Sequence, residues 1–356
     1  MTTSPRIVYA GQLDPAGSCF SRLNALRDLE PAVTEFDTLR FLNGSSLWKK
    51  FDRRFTHLGF EFRHSNAAFL ELCDAVKAEI VWIDKGWWLW PSTIKQLRER
   101  GVFLVQHNTD KLSPQNWAGS SVYKLLRNGL RWYHLYFTSN LFDHARLSAD
   151  GNPPTELTHL GFDPQRFTAL PLSADLARTW QTDLLFVGHH EPRTERFILA
   201  LLDAELNVSI YGHGWASAGQ RVRSSGGVHC RMLDAHEYEC ALKGAKIGLC
   251  FVSEWNGNQN SGRSFEIPAS GTFLLAMRSQ QHLDCFQEGE EAEFFGDETE
   301  LVRKAKYYLE HPDERSAIAR RGHERCIQSD YSWGRYMRED WAKARAQYAA
   351  FKGPRA

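Results

Sequence analysis

The chain has 356 residues, with 43 Lys+Arg against 43 Asp+Glu, so its formal net charge is zero with His neutral. That length exceeds what one hydrophobic core usually serves, and 42% hydrophobic with 24% charged residues is an ordinary globular composition, which excludes disordered, collagenous and coiled-coil classes and predicts two domains. The balance also removes any global electrostatic case for nucleic acid or an anionic membrane, so an anionic ligand needs a dedicated local pocket.

In chain order, the apolar run 6–10 ends at Gly11 and reads as a strand, followed by a helix from Ser18 or Ser21 carrying Leu23, Leu26 and Leu29. The unit repeats with a strand at Ile80–Ile83 and a helix at Ser92–Arg100, where Ser92 is the expected N-cap and Gly101 the stop. A strand at Val102–Gln106, a polar loop at 107–118, a helix at 120–130, a strand at His134–Thr138 and a helix at Leu141–Ser148 complete the first half. Strands separated by helices predict a mostly parallel sheet. The turn-rich stretch from Asp150 to Pro171 reads as the interdomain hinge.

After it the alternation restarts with strands at Asp183–Val187, Val208–Tyr211, Lys246–Phe251 and Thr272–Leu275, and with helices from 191 or 193 to 204, at Ala235–Lys243 and at Arg263–Ala269. Three further helices are expected at Glu298–Glu310, Pro312–Ile327 and Trp333–Phe351. The pattern therefore predicts an α/β protein with two Rossmann-like, doubly wound parallel sheets, and ligands beyond the carboxyl ends of the strands in a cleft between the domains. No stretch is long and apolar enough to span a bilayer, residues 1–6 carry no apolar signal segment, and the seven scattered cysteines include no Cys-x-x-Cys pair, so a cytoplasmic, reduced protein is expected.

Two loops carry the chemistry. Gly188-His-His-Glu-Pro-Arg193 joins a strand to a helix and offers backbone N–H groups and a guanidinium, which suits a diphosphate; an ordinary turn with a solvated Arg is the bland alternative. The tandem His189-His190 lacks a third spaced ligand, so no metal is expected. The second loop, Asn256 to Gly271, delivers Ser261, Gly262 and Arg263 to a helix start, with Glu266 one turn later as an acceptor for sugar hydroxyls or simply a carboxylate near a helix N-terminus.

The segments 183–188, 210–215, 245–249, 261–271, 286–290, 307–312 and 318–322 resemble, in order, the CgeB-like group of glycosyltransferases with the GT-B architecture. The likeness extends more faintly to Ile7–Gly11, Arg22 and the loop at 108–110. The resemblance implies a domain at 1–165 on the acceptor side, a domain at 166–330 that binds a nucleotide-diphosphate sugar, and a helix at 331–356 crossing back toward the first domain. It implies diphosphate contacts from Gly188, Arg193, Ser261, Gly262 and Arg263, a ribose contact from Glu266, and a base site near Met232, Leu233 and Tyr238. Related retaining enzymes place a second Glu eight positions before the one matching Glu266, and Asn258 stands there, so a retaining outcome is not implied.

The expected activity is sugar transfer to a hydroxyl of a glycan, protein or small molecule, with the arginines stabilising the leaving diphosphate and with no obligatory metal, no cofactor and no nucleic acid. An inverting route needs a base for the acceptor proton; Asp110 is the first candidate, then His107 and Asp14. Trp87, Trp88, Trp90 and Trp117 line the acceptor side or simply pack. An epimerase of the same architecture and a nonenzymatic nucleotide-sugar-binding or assembly protein are the rival readings.

Overall fold

Two six-stranded sheets organise the computed structural model, which describes residues 4–42, 46–112 and 122–353. Unit 1 comprises Met1–His159, Trp255–Gly257 and Trp333–Ala356; unit 2 comprises Leu160–Glu254 and Asn258–Ser332.

Unit 1 runs β1 (Ile7–Gly11), α1 (Ser18–Leu29), β2 (Thr34–Asp37), α2 (Leu47–Phe51), α3 (Phe60–Ala75), β3 (Ile80–Asp84), α4 (Pro91–Glu99), β4 (Phe103–Asn108), α5 (Lys124–Gly129), β5 (Leu135–Thr138), α6 (Leu141–Asp150) and β6 (Thr155–Leu157). The strands pair in parallel in the order β2-β1-β3-β4-β5-β6. Strands β1, β3 and β4 are buried along their whole length, as strands of a doubly covered parallel sheet are, with the polar Asp84, Gln106, His107 and Asn108 buried at the carboxyl ends of β3 and β4. One cover is the last helix of the chain, Trp333–Lys352, whose Trp341 indole donates to Glu30 Oε1 (3.2 Å) while Thr158 Oγ1 donates to Asp340 Oδ2 (2.6 Å).

Unit 2 runs α7 (Ala174–Trp180), β7 (Thr182–Val187), α8 (Pro192–Asp203), β8 (Val208–Tyr211), α9 (Gln220–Arg223), β9 (Val228–His229), α10 (Ala235–Gly244), β10 (Ala245–Cys250), α11 (Arg263–Ala269), β11 (Phe273–Met277), α12 (Gln280–Cys285), β12 (Glu293–Phe295), α13 (Glu298–Glu310) and α14 (Pro312–Gln328). The final helix is α15 (Trp333–Lys352). The parallel order is β12-β11-β10-β7-β8-β9. The chain builds outward from β7 to β9, then returns to β10 on the other side of β7, so the carboxyl ends of β7 and β10 flank the point where strand order reverses. Beneath them Phe186, Phe197, Phe251 and Phe295 form an aromatic core, with Phe186 and Phe251 centroids 5.0 Å apart.

Several local expectations change. His107 and Asn108 belong to β4, two residues beyond the expected strand, because β3 and β5 still offer partners there through Asp84 and Thr138. Trp90, not Ser92, takes the N-cap of α4, since Pro91 supplies the preset backbone of the first helical position. The hinge stretch contains β6, which pairs with β5, and the unit boundary falls between His159 and Leu160. Trp117 and the start of the helix expected at 120 lie outside the described residues.

Candidate functional site

The loops after β7, β8 and β10 are tied together at the strand-order reversal. Gly188 N–H donates to Tyr211 O (2.9 Å), and Gly212, with φ +141°, comes so close that a Cβ there would lie 2.1 Å from the Gly188 carbonyl oxygen. Only glycine permits that approach. Across the other flank, Ser253 Oγ (2.6 Å) and Glu254 N (3.0 Å) donate to the buried Glu191 carboxylate, and Arg193 Nη2 donates to Val252 O (2.9 Å). Burial alone would push the Glu191 carboxyl up, but His189 and Ser253 override it and hold it low. His189 meets Glu191 (2.7 Å) and His190 meets Glu195 (2.5 Å), so the tandem pair serves two different carboxylates. Among the described residues no group of three or more His, Cys, Asp or Glu is placed to hold a metal ion.

The loop after β10 reaches α11 through a chain of hydrogen bonds. His282 Nδ1–H donates to Met277 O (2.7 Å), which leaves Nε2 to accept from Ser264 Oγ–H (2.7 Å), and Ser264 Oγ in turn accepts from Ser261 N–H (3.0 Å). This relay fixes the backbone immediately before Arg263. The Arg263 guanidinium sits 5.7 Å from the Phe186 ring centroid, and its buried Nε has no hydrogen-bond partner. Neither Arg193 nor Arg263 is ion-paired with a carboxylate among the described residues, although most arginines of this chain are. An orphaned buried guanidinium N–H costs desolvation energy that an incoming anion would recover.

Glu266 lies one turn beyond Arg263 and accepts a hydrogen bond from Tyr238 Oη (2.7 Å). Burial raises the Glu266 carboxyl above its ordinary range, with Tyr238 and Arg263 pulling partly against the rise. A Cβ at Gly262 would stand 3.2 Å from Glu266 Oε1, so the glycine leaves the carboxylate its space. Tyr238 is held edge-on by Phe167 at 5.7 Å. Leu233 is buried and Met232 exposed in the turn between β9 and α10, whose Asp234–Glu237 capping box fixes that turn. Arg193, Ser261, Gly262, Arg263, Glu266 and Tyr238 thus lie along the carboxyl ends of β7 and β10 and the start of α11.

The residues singled out in unit 1 have other neighbours. Asp14 closes its own turn by accepting from Ala16 N (2.9 Å). His107 is buried, stacked on Trp82 with Nε2 3.6 Å from Asp340 Oδ2, which makes it a packed strand residue rather than the loop histidine expected. Asp110 faces Lys85 Nζ (3.3 Å) and accepts from Tyr123 Oη (2.6 Å). Burial would raise the Asp110 carboxyl, but Lys85 outweighs it and holds the group low, which weakens it as a base. Trp88 is core, in contact with Phe36 and Phe69, and Trp90 is anchored through its indole N–H to His57 O (2.8 Å). Sequence reasoning missed the Arg22–Asp84 pair, bidentate at 2.7 and 3.0 Å, with Tyr9 Oη 2.5 Å from the same carboxylate. It also missed the Glu191 anchor and the His282–Ser264 relay, which join positions remote in sequence.

Residues 193–339 match the family model described as glycosyl transferase-like. No curated protein sequence matches the chain. Among solved structures, sucrose-phosphate synthase from Thermosynechococcus elongatus superposes with a TM-score of 0.71 at 15% identity, covering 98% of this chain and 100% of that one. Anabaena HepE in complex with UDP and glucose gives 0.66 at 13% identity, covering 96% and 100%. A UDP-forming trehalose-phosphate synthase from Burkholderia xenovorans gives 0.63 at 11%, covering 98% and 100%. With its two parallel sheets and C-terminal helix, the chain has the two-domain α/β GT-B fold, and residues 193–339 of it match the glycosyl transferase-like family.

Proposed function

We propose that the protein is a glycosyltransferase whose unit 2 binds a nucleotide-diphosphate sugar and whose reaction moves the sugar to a hydroxyl of a glycan, protein or small molecule. The observation that carries this reading is the pair of guanidinium groups, Arg193 and Arg263, without carboxylate partners at the ends of neighbouring strands. Chemically, the bond between the sugar C1 and the phosphate oxygen breaks, the acceptor oxygen bonds to C1, and its proton leaves to a base. Negative charge accumulates on the departing diphosphate, where fixed guanidinium groups are worth most. Glu266, oriented by Tyr238, is suited to accept from ribose hydroxyls, and the turn holding Met232 and Leu233 to flank the base. The structural likeness to HepE in complexes with UDP and glucose and with UDP-glucose supports UDP as the first nucleotide to test.

A thermal-shift panel of nucleotides and nucleotide sugars identifies the donor, because a ligand specific to the folded state raises the melting temperature by mass action. Arg263→Ala and Glu266→Ala variants should then bind the leading nucleotide more weakly in calorimetry. Unchanged affinity in both overturns the donor-site assignment. Conversion of the donor sugar with no acceptor present would instead mark an epimerase, and binding without transfer or slow donor hydrolysis a nonenzymatic protein.

A further inference from the structure

At the opposite end of the same sheet, unit 2 holds a second depression, about 540 Å³, at the amino ends of β10 and β11. The candidate donor loops leave the carboxyl ends of β7, β8 and β10, so the two places are separated by about a strand length, roughly 17 Å. Its basic lining is Lys243, Lys246, Arg315, Arg320 and His323, and among the described residues no Asp or Glu lines it. That imbalance stands out in a chain whose charges cancel.

Two of the cations are already satisfied. Lys246 pairs with Asp183 (2.7 Å) and Arg320 lies 3.9 Å from Glu324. Lys243 and Arg315 are not ion-paired among the described residues: Lys243 donates to Thr168 Oγ1 (3.2 Å), and one nitrogen of Arg315 donates to the carbonyls of Tyr308 and Leu309. Helix carboxyl ends gather at this end of a parallel sheet, and their carbonyls could account for neighbouring cations. Arg315 serves two such carbonyls through one nitrogen, whereas Lys243 donates to a hydroxyl, and the carbonyls of Leu242 and Ala269 are taken by Thr272 Oγ1 (2.7 Å) and His323 Nδ1 (2.9 Å). The hydroxyls of Ser270 and Thr272 donate to the carbonyls of Glu266 (2.8 Å) and Leu242, which leaves Ser316 as the hydroxyl of the lining, and Leu170 and Pro171 form an apolar wall, with Leu170 69% exposed.

We infer that this depression binds a phosphomonoester, with the dianion between Lys243 and Arg315 and the organic part against Leu170 and Pro171. Guanidinium and ammonium groups that are not ion-paired among the described residues, with the Ser316 hydroxyl in the same lining, suit a phosphate, and the apolar wall suits what the phosphate is attached to. The phosphate can be that of a water-soluble metabolite or of a lipid headgroup, and the ligand is bound independently of the donor site.

Calorimetry on the full chain tests this with two probes, inorganic phosphate and dihexanoyl phosphatidic acid, in a background carrying Arg193→Ala and Arg263→Ala. At least one probe should bind in that background, weaken as salt is raised, and lose about tenfold or more of its affinity on Lys243→Glu or Arg315→Gln. Because Arg315 also caps two helix carbonyls, Lys243→Glu, checked for an unchanged thermal melt, is the deciding variant. Phosphatidic acid bound tenfold more tightly than phosphate identifies a lipid source, and equal affinities a soluble one. Binding that vanishes with the donor-site arginines, survives Lys243→Glu, or is absent for both probes overturns the inference.

Discussion

Replacing Arg263 with alanine separates a ligand-binding arginine from a structural one, because the two roles predict opposite effects on the unliganded protein. Among the described residues the side chain has no ion pair to lose, and its buried Nε has no hydrogen-bond partner. Removing an unsatisfied buried donor returns about 1–3 kcal/mol, while losing the contact with the Phe186 ring costs about 0.5–1 kcal/mol. The unliganded variant should therefore be as stable as the parent or up to about 2 kcal/mol more so. At about 2–4 °C per kcal/mol for domains of 150–250 residues, that is a melting temperature unchanged or raised by a few degrees. Nucleotide affinity should move the other way. One lost charge-assisted hydrogen bond to a phosphate, about 1.5–3 kcal/mol, weakens binding roughly ten- to 150-fold. Differential scanning calorimetry without ligand and titration with UDP or GDP, whichever binds the parent, give both numbers. A variant that melts several degrees lower and binds nucleotide normally refutes the reasoning.

Four other outcomes follow from the same structure. Arg22→Met should lower stability in urea by about 3–5 kcal/mol, because it strands the buried Asp84 carboxylate, and the double change with Asp84→Leu should recover much of that loss. In the parent, burial would raise the Asp84 carboxyl, but Arg22 brings it down to about 2, below its ordinary 3.8; its contribution is present above the ordinary value and lost as pH falls through about 2, and Asp84→Asn should flatten that acid limb. Glu266 has the reverse sign: its folded-state carboxyl is raised by burial, so stability is lost as pH climbs from the ordinary glutamate range toward the folded value. Glu266→Gln should gain on the parent across that climb and match it at lower pH, whereas parallel melting curves would contradict the shift. Ending the chain at Ser332 should leave unit 1 unfolded by near-ultraviolet circular dichroism, since burial of Trp333, Tyr336, Met337 and Trp341 is worth about 6–12 kcal/mol in all, as much as a domain's net stability.

The second half was far more legible than the first. There the apolar runs are short and bounded by glycines, so β8, α11 and α13 fall within the residues expected from pattern alone. In unit 1 the stretch from Thr34 to Ala75 yielded no expected element, although Gly44 and Gly59 punctuate it. β2 is only partly buried at an edge, and α3 hides its core face behind Phe62, Phe69 and Cys73 among polar neighbours. At the candidate site, Arg193, Arg263 and Glu266 could be proposed from sequence because loop chemistry is written in consecutive residues. Their supports could not: Glu191 is held from Ser253 and Glu254, and Ser261 is fixed through Ser264 by His282 on another helix. Such partners are adjacent only once the strand order places β10 beside β7.

The return of α15 to unit 1 also sets an order of assembly. Unit 2 is complete once Ser332 has been synthesised, whereas unit 1 still lacks the helix that covers Trp82 and pairs with Glu30. On the ribosome unit 1 is therefore begun before unit 2 and finished after it, and until Trp333–Lys352 emerges it exposes an apolar sheet face of the kind chaperones bind. The same connectivity means that a cut at the boundary near His159 yields an N-terminal fragment without its closing helix, so the two units are two cores but not two separable pieces of chain.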